Sequence, residues 1–237
     1  MKKVVYILSA ISVVCVVACS AIAAKDKKEN NESVVFDLSN KLIDNVHYNK
    51  QSLNDKFSKD AFTVFLDNID PNKRFLLQKD VDNLSRDKFK IDDAIKNNDL
   101  KFFDKYADLI SKREQEAEKI ALKILANNIN IESLDSIELD ADKYGYVSSV
   151  KGLNIRWTNY IQSRVVNELY FSIKNQEEND TIIKKSVKEL EIEAREKVGG
   201  RIKDWFGRLN QLEREDRFAI YLNSILSIYG PHTTYFP

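Results

Sequence analysis

No proline interrupts this 237-residue chain between Pro71 and Pro231, and apolar residues recur every three or four positions across most of that interval. Proline removes a backbone donor and clashes with the preceding turn, so its absence leaves long helices open. Spacings of three and four put side chains on one face of a helix, whereas a half-buried strand needs strict alternation. Each such helix must bury its stripe against another element. The pattern therefore predicts an all-α fold, an orthogonal or elongated bundle of about six to eight amphipathic helices.

The helices can be placed from their stripes and cap residues. Ser33 can cap a first helix with Val35, Leu38, Leu42 and Val46 on one face. Ser52 can cap a second, carrying Leu53, Phe57, Ala61 and Phe65, which ends at Asp70-Pro71 because the residue before proline avoids the helical region. Asp80 is the cap expected for the helix bearing Val81 and Leu84. Asp99 starts a long helix whose Lys112–Glu116 segment reads as a solvated face. Residues 127–146 break the period with alternating Ile129, Ile131, Leu134, Ile137 and Leu139, an irregular loop with a short extended piece. Helix resumes near Ser149 with Leu153, Trp157, Ile161, Val165 and Leu169, and Trp157 reads as core. The longest helix is expected from Thr181 to about Leu212, with a kink or close crossing at Gly199-Gly200. Asp216 can cap the final helix, and Gly230 can end it in a left-handed conformation before Pro231.

The N-terminus has a different logic. Lys2 and Lys3 precede an apolar run from Val4 to Ala18, too short for a membrane span and right for a signal h-region. Residues 1–24 are read as a signal peptide. Ala21-Ile22-Ala23 fits a simple cleavage site, and Val16-Val17-Ala18-Cys19 resembles a lipobox that would lipidate Cys19. Residues 25–32 then form a polar tether to a domain over 33–237. Both cysteines, Cys15 and Cys19, lie in the signal, so no disulfide is available to the exported chain.

Thirty-seven basic residues balance thirty-seven acidic ones, which leaves no global positive field to recruit nucleic acid. No nucleophile motif, glycine-rich phosphate loop or Cys/His cluster with metal spacing is present. His47 and His232, far apart in sequence, are the sole basis for a metal-dependent reading. No cofactor is expected.

Two segments resemble a known family. Phe65 to Leu84, FLDNIDPNKRFLLQKDVDNL, is similar to a stretch of the tail-specific (carboxy-terminal processing) proteases, with Asp70, Pro71, Lys73, Phe75, Leu76 and Asp80 matching in order. Tyr229 to Pro237, YGPHTTYFP, resembles their DPHTxYxxP segment through Pro231, His232, Thr233 and Tyr235, with Gly230 in place of the usual Asp and Pro237 one residue early. The resemblance assigns these motif residues structural roles and implies an N-terminal helical domain that precedes a PDZ domain and a Ser–Lys peptidase domain. Neither of those domains is expected within these residues, so no catalytic residue carries over. The expected function is an exported, non-catalytic scaffold that helps admit unfolded protein C-termini and docks an adaptor. The alternative is a stand-alone envelope lipoprotein that binds peptides or proteins in a helical groove.

Overall fold

The computed structural model describes residues 31–127, 131, 137–138, 140–179, 181 and 183–237. Among them the fold is all-α, as the periodicity requires. Eight helices follow one another: α1 over 31–46, α2 Asp55–Ile69, α3 Gln78–Leu84, α4 Ile91–Asn97, α5 Lys101–Ala126, α6 Val150–Glu178, α7 Val187–Leu209 and α8 Arg214–Leu226. The signal segment, Cys19, most of the tether, and Ile129, Leu134 and Leu139 of the loop lie outside the described residues. No helix among the described residues is long and apolar enough to cross a membrane.

Two helix groups share one core. α2 packs on α4 and α8, α6 packs on α7, and α5 contacts α6, α7 and α8. Aromatic rings fill the first group: Phe65 meets Tyr106 edge-on at 4.6 Å and Tyr221 at 5.7 Å, and Phe103 stacks on Tyr221. Trp157 centres the second, fully buried between Phe75, Trp205 and Phe206. Such edge-to-face pairs add modestly to the large burial term of aromatic side chains.

The structure moves several boundaries. Asn54, not Ser52, caps α2, its side chain accepting from the Phe57 N–H. Asp80 and Asp216 sit one turn inside their helices rather than at the caps. Each accepts the N–H of the true cap residue, Leu77 and Glu213, at 2.8 Å. A carboxylate there still satisfies an orphan donor and favours the positive helix end. α6 is the longest helix at 29 residues, and α7 begins later than its stripe suggested. Ser186 and Glu189 form a reciprocal capping box that fixes the start of α7.

On α1 most of the expected stripe turns outward, and of its members only Val35 packs against the core. Leu38, Leu42 and Val46 are 58–71% exposed, whereas Phe36 and Ile43 are buried. Phe36 stacks on Tyr221 of α8, so the larger ring decides which face turns inward. Residues 31 and 32, placed at the end of the tether by sequence, are helical. Glu32 is buried against Arg214 of α8, and Ser33 lies inside the helix, accepting from Asn98.

The supposedly solvated face of α5 is also corrected. Arg113 and Glu114 are buried. Glu114 forms a two-pronged pair with Arg217 of α8, with oxygens 3.1 and 2.6 Å from the guanidinium nitrogens. Arg113 grips Asp80 of α3 in the same way, at 2.7 and 2.9 Å. A third tie is made by Asp92 of α4, which accepts from the Ser58 hydroxyl of α2 at 2.6 Å and from Lys96.

Gly199 and Gly200 neither interrupt α7 nor admit a neighbouring backbone. A Cβ on Gly199 would lie 3.7 Å from a Leu125 methyl, and one on Gly200 would meet nothing. Gly152 differs, since a Cβ there would lie 2.9 Å from Val147 Cβ.

Urea unfolding tests these contacts. Gly200→Ala raises stability by about 0.5–1 kcal/mol by removing helix-opposing backbone freedom, while Gly152→Ala lowers it by about 1–3 kcal/mol through overpacking. Arg217→Met costs about 3–5 kcal/mol because it leaves Glu114 buried and unpaired, and adding Glu114→Leu recovers most of that loss.

Candidate functional site

The turn between α2 and α3 is built on one carboxylate. Asp70 is 1% exposed. Its Oδ1 accepts the Arg74 N–H at 2.7 Å, and its Oδ2 accepts those of Phe75 and Leu76 at 3.0 and 2.8 Å. Burial pushes its carboxyl above the usual range, while these donors and the Arg74 charge pull the other way. Pro71 sits second in a turn closed by the Lys73 N–H on the Asp70 carbonyl, and Lys73 takes the left-handed region at φ 49°. Phe75, Leu76 and Leu77 are thereby directed into the core.

The turn's outward groups organise the surface beside it. Trp157 Nε1 donates to the Arg74 carbonyl, and Arg156 donates to the Lys73 and Gly145 carbonyls. Lys73 Nζ reaches the Ala141 and Tyr144 carbonyls. Val147 accepts from the Gln78 N–H in a single parallel bridge between residues 77 and 147, the one extended pairing of the loop region among the described residues.

The C-terminal segment is held just as firmly. Pro231 repeats the position of Pro71, second in a turn closed by the Thr233 N–H on the Gly230 carbonyl. Gly230 does not adopt positive φ, so the left-handed stop read from sequence is not used. The Asn223 side chain of α8 pairs with both backbone groups of Tyr235, at 3.0 and 2.6 Å. The Tyr235 ring lies edge-on to Phe218. Thr233 and Tyr235 face inward, while His232, Thr234 and Phe236 are exposed, Phe236 by 84%.

His47, just after α1, contacts this segment. Its Nδ1 faces the Asn49 backbone, 3.1 Å from the nitrogen and 3.2 Å from the carbonyl oxygen, and its Nε2 shares a hydrogen bond with the Thr233 hydroxyl at 3.0 Å. His47 and His232 do line one shared cleft of about 580 Å³ with Leu42, Val46 and Tyr48. Among the described residues, no three His, Cys, Asp or Glu side chains gather closely enough to hold a metal.

A second region was not singled out from sequence. Adjoining clefts of about 680 and 570 Å³ run along α6 between the Asp70–Leu77 turn and α7. Arg74, Tyr160, Arg164 and Asn167 line both clefts. Arg201, Trp205 and Arg208 of α7 close one end, and Arg156 and Tyr144 close the other. The sequence signal was present: Arg156, Tyr160, Arg164, Asn167 and Phe171 repeat at helical spacing beside the apolar stripe. An excess of positive charge on one face is invisible in a balanced composition.

The family is decided by comparison of the whole chain. A family model described as Tail specific protease N-terminal domain matches residues 38–237. The chain belongs to this family. A curated relative, the Tail-specific protease of Haemophilus influenzae, is 31% identical over 192 residues, which cover 80% of this chain and 25% of the relative. The chain thus spans about a quarter of that relative's length. Both resembling segments fall inside the matched region, and the structure shows each to be a proline turn whose backbone is fastened by side chains.

Asp70→Ala strips the acceptor from three backbone donors, two of them on buried residues. It is expected to cost about 2–6 kcal/mol, given about 1–3 kcal/mol for each of the two buried donors left without a partner. A guanidinium unfolding curve measures the loss, and Trp157 fluorescence reports whether the adjoining cleft opens with it.

Proposed function

We propose that this domain is the N-terminal helical scaffold of an exported tail-specific serine protease and performs no hydrolysis itself. In this reading residues 1–24 direct export to the bacterial envelope, with Cys19 as the lipid attachment point. The domain presents a PDZ and a Ser–Lys peptidase domain, helps admit unfolded C-termini, and offers a surface to an adaptor protein. Asp70, Pro71, Asp80, Pro231, His232, Thr233 and Tyr235 serve as its framework rather than its chemistry.

The observation that carries this reading is the fastening of residues 233–235. Asn223, His47 and Phe218 hold the segment, so Phe236 and Pro237 leave the domain in a fixed direction. A rigid exit sets the orientation of whatever is joined there, whereas a loose linker would leave it free. The alternative, an envelope lipoprotein that binds peptides by itself, draws support from the arginine-lined cleft.

The test compares the purified chain with the same chain joined to the remaining domains of the Haemophilus influenzae relative. The chain alone leaves reduced, carboxymethylated casein intact, and the joined protein degrades it. Asn223→Ala in the joined protein slows degradation while the fold, read by circular dichroism, persists. Casein cleavage by the chain alone would refute the scaffold role.

A further inference from the structure

The ten arginines of this chain divide into two sets. Arg113, Arg195, Arg201, Arg214 and Arg217 each pair with a carboxylate. Arg74, Arg86, Arg156, Arg164 and Arg208 make no such pair among the described residues. Four of these five, all but Arg86, converge on the clefts along α6. In a chain with equal numbers of acidic and basic residues, carboxylates were available to neutralise them.

Arg74 is the most unusual member. Its guanidinium lies 3.9 Å from the centre of the Tyr160 ring and 5.1 Å from that of Trp157. Its Nε and Nη1 are buried without a hydrogen-bond partner. Arg156 lies over Tyr144 at 4.3 Å from the ring centre while its nitrogens donate to the Lys73 and Gly145 carbonyls. Stacking fixes a guanidinium plane and prepares it for a planar acceptor, which lowers the ordering cost of binding. Unpaired guanidinium donors recognise carboxylates through paired hydrogen bonds.

We propose that this cleft binds an extended, acidic segment of another polypeptide. The clefts follow α6 from Arg156 to Phe171, roughly 22 Å at 1.5 Å per residue, a length that six or seven extended residues cover. Alternate carboxylates meet Arg156, Arg74, Arg164 and Arg208 in turn, and the side-chain amides of Asn72 and Asn167 are positioned to pair with peptide groups. Tyr160, Phe171 and Trp205 supply apolar surface for the intervening side chains. Glu138 and Glu168 also line the clefts, and Glu168 already occupies Arg201, an arrangement that opposes a dense run of phosphates. The inference goes beyond the scaffold role and does not depend on it: peptide binding is read without any proteolysis.

The test titrates the full chain with a fluorescein-labelled octapeptide carrying Glu at alternate positions, and with its Gln counterpart. The Glu peptide binds at least about tenfold more tightly, as charge-assisted pairs require, and binding weakens as salt is raised. The double variant Arg164→Gln/Arg208→Gln loses about tenfold in affinity, and Arg86→Gln, outside the cleft, loses none. Both substituted positions are exposed, and amide chemical-shift changes in the wild-type chain, expected along residues 156–171 and 201–208, provide a readout independent of any variant. Equal binding of the Glu and Gln peptides, or shift changes elsewhere, would overturn the proposal. So would tighter binding of a thymidine oligonucleotide or of phosphatidylglycerol vesicles that the same double variant abolishes, since the ligand would then be a phosphate rather than a peptide.

Discussion

The buried carboxylate of Asp70 is the interaction on which the arrangement of this domain depends. Three consecutive N–H groups, those of Arg74, Phe75 and Leu76, converge on it and reverse the chain between α2 and α3. The reversal sends Phe75 to Leu77 into the core and turns the Lys73 and Arg74 carbonyls outward, where Arg156 and Trp157 of α6 receive them. One side chain thus couples the first helix group to the second. A carboxyl group so deeply buried is tolerated because fixed donors replace the water it has lost.

The remaining inter-helix fastenings use the same economy of charge. Asp80 with Arg113 ties α3 to α5, Glu114 with Arg217 ties α5 to α8, and Glu32 with Arg214 ties α1 to α8. Paired and desolvated, such groups add less net stability than apolar packing of the same volume would. Their geometry is directional, however. Neighbouring Arg113 and Glu114 pair with different helices, α3 and α8, which restrains the rotation of α5 about its axis.

These fastenings leave two surfaces with distinct characters. At one, α1 and the C-terminal segment form an apolar cleft, where Asn223 and His47 hold Tyr235 and Thr233. At the other, arginines without carboxylate partners lie over aromatic rings along α6. The first surface is the one the scaffold reading assigns to a joined neighbour, and the second is the one proposed for an acidic polypeptide segment. Membership of the tail-specific protease N-terminal domain family is consistent with a module whose chemistry is positioning and recognition.

The sequence by itself determined the helical class, the start of α6 at Ser149, the proline turns at Asp70 and Gly230, and most buried faces. Those follow from local rules of capping, of proline geometry and of a 3.6-residue period. It could not determine which of two apolar stripes on α1 turns inward. That choice rests on Phe36 finding Tyr221 nearly two hundred residues away. Nor could it show that Arg113 and Glu114 are interior, because a charged pair on a helix looks solvated until its partners on α3 and α8 are known. The arginine cleft was half legible, as a spacing along α6. Its completion by Arg74 and Arg208 required the Asp70 turn and α7 to be brought alongside, and long-range packing alone accomplishes that.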